Sequence, residues 1–256
     1  MPEPTQPPRS RWPERLWVVR HGQSAGNVAR DAADAAGLER IDIADRDADV
    51  PLSELGHEQA RALGAWFAAL PAERRPEVVL TSPFVRARQT AEHVAAATGV
   101  DVATFVVDER LREKEFGALD RLTTAGIRAL HPGEAEQRAH LGKFYYRPPG
   151  GESWCDVILR LRSAADTISL HHAGRRVLVV SHQVVVLCLR YLFETLTEEQ
   201  ILAIDREGDV ANCAVTEYAM DAAADALRLV RYNHVGPLVE AETPVTQAPD
   251  AKVATR

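Results

Sequence analysis

The stretch LWVVRHGQSAGN, residues 16–27, decides how the rest of the chain is read. Its first four residues are apolar and predict a short strand buried on both faces. Arg20, His21 and Gly22 follow, and then a turn of small and polar residues. A cation beside an imidazole at the end of a buried strand is costly in desolvation, which makes the pair a candidate for chemistry. The pattern returns 161 residues later, where the apolar run at 177–180 ends in Ser181 and His182. Two strands that each deliver a histidine at the carboxyl end predict a two-histidine site.

Outward from these strands, apolar runs alternate with helical periodicity. Residues 77–80 and 102–107 read as further strands. Residues 54–70 read as a helix capped by Ser53, and a helix opened by Pro83 runs to about 97. Residues 27–49 form an alanine- and aspartate-rich excursion, part helix and part loop. Short helices over 119–141 are interrupted by His131-Pro132-Gly133, a loop follows at 147–151, and a long helix spans 153–172. After the second histidine strand comes a helix over 184–194, then late strands at 211–220 and 227–232. This order predicts an α/β sandwich around a largely parallel sheet. The proline-rich residues 1–13 and the polar residues 236–256 read as disordered tails around an ordered body, 14–235.

The chain has 256 residues, 46% of them hydrophobic, enough for one sizeable core. A net charge of −7 argues against nucleic acid or an anionic membrane as partner. No apolar run reaches the ~18 residues of a membrane span, and the amino terminus lacks the apolar segment of a signal peptide. Cys155, Cys188 and Cys213 are scattered with no CxxC spacing, which fits a reducing, cytoplasmic location.

In open α/β sheets the site forms at the carboxyl ends of the strands. There the sequence places Arg20, His21, Gly22, Gln23, Ser24 and Asn27, then Ser82 and Arg86, then Glu109 and Glu113, then His182 and Gln183. The set suits a phosphoryl group. Arginine forks match phosphate oxygens, and Gly22 would let backbone approach the anion. A neutral imidazole between arginines can attack phosphorus, a second can stabilise charge on the transferring group, and a carboxylic acid, Glu113, can protonate the leaving alkoxide. Seven other histidines, at 57, 93, 131, 140, 171, 172 and 234, read as surface or helix-end residues, and no metal or other cofactor is expected. Asp42, Asp45, Asp47 and Asp49 lack the glycine and terminal glutamate of a calcium loop and read as a solvated loop.

These residues resemble the histidine phosphatase superfamily, in the branch that contains phosphoglycerate mutases. The resemblance runs from Leu16 to about Tyr232. Arg20-His21-Gly22 with Ser24 and Asn27 matches the opening motif. Pro51-Leu52-Ser53 through Gly56 to Gln59-Ala60 matches the next segment. Ser82-Pro83, Arg86-Ala87 and Gln89-Thr90-Ala91 match a third, and Leu111, Glu113 and Gly117 a fourth. Gly151-Glu152-Ser153 and the run ending in His182 complete six segments in the family's order. The resemblance implies a three-layer α/β/α sandwich with a mostly parallel central sheet and a lid-like insertion at about 118–152. It implies that His21 carries a transient phosphoryl group, and that Arg20, Arg86 and His182 form the phosphate pocket. Glu113 becomes the proton donor and then the base for water, while Gln23, Ser24 and Asn27 line the pocket.

Two departures bear on the reaction. The family's glycine after the second histidine is Gln183 here, which would narrow the pocket or bond the substrate. The mutases' Glu-Arg-x-Tyr-Gly-Gly-Leu run is Glu113-Lys114-Glu115-Phe116-Gly117-Ala118-Leu119, and no arginine pair precedes Arg147. The expectation is therefore a metal-independent phosphatase acting on a small phosphomonoester. A phosphoglycerate mutase-like isomerase is the alternative, and a catalytically weak phospholigand-binding regulatory protein a further one. Lys143 and Arg147, in the run 142–153, are expected to touch the rest of the substrate. The resemblance also leaves room for a homodimer.

Overall fold

The first histidine strand, β1 (Arg15–Arg20), and the second, β4 (Arg176–Ser181), lie side by side and parallel, with Arg20 opposite Ser181. Both are interior strands, which is why their sequences are apolar without alternation. Leu16, Val18, Val177 and Val179 enter one core, and Trp17, Val19, Leu178 and Val180 the other. The computed structural model describes residues 11–247. The predicted tails at 1–10 and 248–256 lie outside the described residues.

Along the chain β1 is followed by α1 (Ala25–Ala35), α2 (Glu54–Ala69), β2 (Val78–Thr81), α3 (Val85–Thr98) and β3 (Val106–Val107). Next come α4 (Thr124–Leu130), α5 (Pro132–Leu141), α6 (Trp154–His171), β4 and α7 (Gln183–Phe193). The chain continues through α8 (Glu198–Glu207), β5 (Val215–Asp221), β6 (Ala226–His234) and α9 (Gly236–Glu240). One six-stranded sheet has the order β3-β2-β4-β1-β5-β6. β3, β2, β4 and β1 are parallel, β5 runs antiparallel to β1, and β6 antiparallel to β5. α6, α7 and α8 contribute to the core on one face, and α2, α3 and α9 to the core on the other. This is the expected α/β/α sandwich.

Local chemistry explains where expectation and structure part. The third strand shrinks to Val106–Val107 because the Asp101 side chain accepts a hydrogen bond from Ala103 N (2.9 Å), turning 102–104 into a 3-10 turn. The first late strand begins at Val215, since Cys213 has φ +55° and breaks the extended run. α8 was not expected, although Thr197 and Gln200 form a capping box legible as T-E-E-Q.

The tail boundaries need correction at both ends. Trp12 packs edge-on against Phe193, with ring centroids 5.7 Å apart. At the other end Leu238 of α9 is fully buried in the core beneath α2. Beyond it Thr246 Oγ1 donates to Asn212 Oδ1 (2.9 Å) and accepts from Gln59 Nε2 (2.9 Å). Residues 236–247 are thus part of the body: one buried leucine and two side-chain hydrogen bonds hold a segment whose composition reads as polar. Leu238→Ala is expected to cost about 2–5 kcal/mol, as for other buried leucines. Chemical denaturation would show it as a lower midpoint with little change in slope, whereas a dispensable tail would leave the midpoint where it is.

Candidate active site

Because β1 and β4 pair in register, their carboxyl ends deliver His21 and His182 as neighbours, with ring centroids 5.1 Å apart. Both are buried, His182 completely. Arg86 arrives on the first turn of α3 after β2, and its Nε donates to His21 Nε2 (3.2 Å). Arg20, at the end of β1, donates from Nη1 to Gln183 Oε1 (2.9 Å) and to the Val210 carbonyl. Glu113, half-buried, follows the 3-10 turn Glu109–Leu111. Arg20, His21, Arg86, Glu113, Ser24, Asn27 and Gln183 share the wall of one cavity of about 110 Å³.

The hydrogen bonds assign the imidazole tautomers. His21 Nδ1 lies 2.7 Å from the Gly22 carbonyl, which can only accept, so Nδ1 carries the proton. Nε2 is left with its lone pair and receives the Arg86 N–H. His182 Nε2 lies 2.8 Å from Ser82 Oγ, which itself accepts from Phe84 N (3.2 Å). That hydroxyl has no other acceptor among the described residues, so it donates to Nε2, and the His182 proton sits on Nδ1, a buried atom with no hydrogen-bond partner among them. Burial, followed by the Arg86 and Arg20 charges, holds the His21 pKa well below its ordinary value. Burial and Arg86 do the same for His182. Both rings are neutral at pH 7, one offering a lone pair and the other an N–H.

Several expected roles change. Gly22 does not line the cavity; a Cβ there would lie 2.6 Å from the Gly56 carbonyl oxygen, so glycine allows the turn after β1 to pack on the start of α2. Gln23 also stays out of the cavity, with its side-chain oxygen accepting from Ser53 Oγ (2.7 Å). Gln183 spends its amide on the protein, accepting from Arg20 and donating to Asp209 Oδ1 (2.7 Å). Lys143 pairs with Asp205 (2.8 Å) and Arg147 with Asp156 (2.7 Å), so neither faces the cavity. Each long cation found a carboxylate on a neighbouring helix, which the spacing of one sequence does not disclose.

The excursion and the insertion form the outer wall together. Ile41 N donates to the Arg121 carbonyl (2.9 Å), Thr123 Oγ1 to the Leu38 carbonyl (2.6 Å), and Arg121 Nη2 to the Asp45 carbonyl (2.9 Å). Ile41, Ile43 and Val50 face the cavity from one segment, Phe116 and Arg121 from the other. Asp47, read from sequence as solvated, pairs with Arg86 (3.0 Å). His57 and His93, read as having no partner, meet at 2.9 Å between α2 and α3.

Asn212, Thr90 and Gln59 were not singled out as site residues, yet they position the turn that carries His21. Asn212 Nδ2 donates to the His21 carbonyl (3.0 Å), Gly22 N to Thr90 Oγ1 (3.1 Å), and Gln23 N to Gln59 Oε1 (2.8 Å). Gln59 and Thr90 stood within the matched family segments, and the signal for Asn212 was an asparagine inside the apolar run 210–215. Among the described residues no group of three or more His, Cys, Asp or Glu side chains is placed to hold a metal ion. None of their helices is long and apolar enough to cross a membrane.

Comparison with known proteins agrees with this geometry. The chain belongs to the histidine phosphatase superfamily (branch 1), whose family model matches residues 16–234. It is 33% identical over 194 residues to a 2,3-bisphosphoglycerate-dependent phosphoglycerate mutase of Sinorhizobium fredii, covering 74% of this chain and 84% of that one. It is 32% identical over 220 residues to a bifunctional protein of Mycobacterium tuberculosis, covering 85% of this chain but 54% of the relative; it spans about half that protein's length. Among solved structures, a mycobacterial glucosyl-3-phosphoglycerate phosphatase superposes with a TM-score of 0.67 at 28% identity, covering 86% of this chain and 99% of that one. Bacillus stearothermophilus YhfR superposes with a TM-score of 0.69 at 27% identity, covering 88% and 98%. Phosphatases and mutases thus both stand among its relatives.

Asp47 competes with an incoming phosphate for the Arg86 fork. Its side chain is 45% exposed, so the pair is screened and worth ~1 kcal/mol or less. Asp47→Asn is expected to tighten inhibition by inorganic phosphate by up to about fivefold, read as a lower inhibition constant. Weaker inhibition would show instead that Asp47 mainly orients Arg86.

Proposed function

We propose that the chain is a phosphatase that hydrolyses a small phosphomonoester through a phosphohistidine on His21. The observation that carries this reading is the neutral His21 ring, its Nε2 lone pair held by Arg86 in a pocket that also contains Arg20. The phosphoryl group of the substrate seats between the two guanidiniums. His21 Nε2 attacks phosphorus in line, forming the N–P bond as the bond to the ester oxygen breaks. The departing alkoxide takes a proton from the Glu113 carboxyl. The Glu113 carboxylate then removes a proton from water as its oxygen attacks the phosphohistidine. Inorganic phosphate leaves, and both groups return to their starting states. The His182 Nδ1–H acts as a hydrogen-bond donor to a non-bridging oxygen, where charge builds in both steps, and keeps its proton throughout.

Hydrolysis is favoured over retention of the phosphoryl group by access to water. Asp45, Asp47 and Asp120 line the cavity and are exposed, so solvent reaches its mouth. A mutase must keep water from the intermediate while the substrate turns over. The mutase reading remains the second, on the identity to the Sinorhizobium fredii enzyme. The substrate carries an apolar portion against Ile41, Ile43, Val50 and Phe116.

The test is phosphate release from a panel of phosphomonoesters in the presence of chelator. Wild type should release phosphate, and His21→Ala should lose about 10³-fold or more in kcat, as expected for a nucleophile. Isomerisation of phosphoglycerate primed by bisphosphoglycerate, without phosphate release, would establish the mutase instead. Near-normal turnover by His21→Ala would remove the phosphohistidine from the mechanism altogether.

The pH profile follows from the sign of the histidine shift. A lowered pKa means His21 takes its proton only well below the ordinary histidine value of about 6.5. Once the titrations of the substrate phosphate and of the proton-donating Glu113 are divided out, the remaining acid limb of kcat/KM, which reports His21, should lie below about 6.5. An acid limb centred at or above 6.5 would contradict a buried, arginine-flanked nucleophile.

A further inference from the structure

At the amino ends of β1 and β4, the sheet edge opposite the catalytic pocket, a second cleft of about 320 Å³ opens between the sheet and the carboxyl end of α2. This lies within the range of about 300–1,000 Å³ typical of small-ligand pockets. Strand register builds one wall. Arg15 stands opposite Arg176, Trp17 opposite Glu217, and Glu217 opposite Arg231, so these side chains share a face. Trp66 and Leu70 of the α2 end face them, with Arg74 beyond.

The charge balance favours an anion. Arg15 and Arg231 share the single carboxylate of Glu217, at 2.7 and 2.9 Å. Arg175 and Arg176 share that of Glu77, at 2.7 and 3.0 Å. Each arrangement leaves one positive charge over. The Arg74 side chain is exposed and makes no hydrogen bond or ion pair among the described residues. Glu14, the other acid of the cleft, is exposed at its rim. The carbonyl end of α2 would repel an anion, but Arg75 covers it, donating to the carbonyls of Ala68 (2.6 Å) and Leu70 (2.9 Å). A cationic cleft stands out in a chain of net charge −7. Trp66, half-buried, gives the cleft an aromatic wall with Arg231 5.9 Å from its ring centroid, and Trp17, 3% exposed, lies behind it.

We propose that this cleft binds a small anion carrying a planar ring, of the class of nucleoside phosphates. The phosphate lies among Arg15, Arg74 and Arg231, and the base against the indole wall. Arginine forks recognise the phosphate oxygens, and an aromatic wall accepts the face of any base. The site is separate from the catalytic pocket and does not depend on the reaction performed there.

Adenosine monophosphate is the probe, and calorimetric titration with tryptophan fluorescence is the readout. The titrations use full-length His21→Ala, so that the probe is not consumed. Arg74 is exposed and has no side-chain hydrogen bond or ion pair among the described residues to lose, so Arg74→Glu tests the cleft without threatening the fold. Binding with a change in tryptophan emission is expected, weakened about tenfold or more by adding Arg74→Glu and held within about twofold on adding Arg86→Ala. Adenosine alone and inorganic phosphate alone should each bind at least about tenfold more weakly than the nucleotide at the Arg74-dependent site. The proposal is overturned if no binding occurs at millimolar nucleotide, or if Arg74→Glu leaves it unchanged. It is equally overturned if Arg86→Ala abolishes binding, which would place the nucleotide in the catalytic pocket. Inorganic phosphate binding as tightly as the nucleotide would reject the nucleoside class.

Discussion

Two guanidinium ions, Arg20 and Arg86, are held almost out of water beside two imidazoles, and the site follows from how that is tolerated. Each arginine is about 5% exposed or less. Buried cations need partners, and dipoles are among them: the Gln183 amide and the Val210 carbonyl for Arg20, the Asp47 carbonyl and His21 Nε2 for Arg86. The one carboxylate in direct contact with Arg86 is half exposed. Burial first, and the charges of Arg86 and Arg20 after it, hold both histidines neutral beside these cations.

Much of the surrounding structure serves to hold this arrangement still. The turn after β1 is tied by Asn212, Thr90 and Gln59 through its backbone. Asn212 and Gln59 are in turn tied by Thr246, so the last described stretch of chain buttresses the turn that carries His21. Gln183, which stands where the family carries glycine, uses its side chain to anchor Arg20 to Asp209. These contacts fix the turn of His21 and the side chain of Arg20 through protein groups alone.

The sheet presents its two edges differently. The carboxyl edge gathers the neutral imidazoles and buried arginines. The amino edge gathers arginines that share carboxylates, with two indoles. The same parallel pairing of β1 with β4 sets both, since Arg20 meets Ser181 at one end and Arg15 meets Arg176 at the other.

By itself, the sequence determined the strands that carry the histidines and the layered α/β class, and it pointed to Arg20, His21, Arg86 and Glu113, which the fold gathers at one cavity, with His182 beside His21. These were legible because they depend on local patterns: an apolar run, then charged or aromatic donors at its end, in a repeated order. α8 was legible too, in the capping box that Thr197 and Gln200 form. Tertiary structure alone decided the fate of Lys143 and Arg147, which found Asp205 and Asp156, and of Asp47, which found Arg86. It also decided that residues 236–247 belong to the body and that Gly22 serves the Gly56 contact. The physical reason is common to these cases. A long charged side chain, or a single leucine in a polar segment, takes its role from whichever surface the fold brings within reach, and that surface comes from residues far away in the chain.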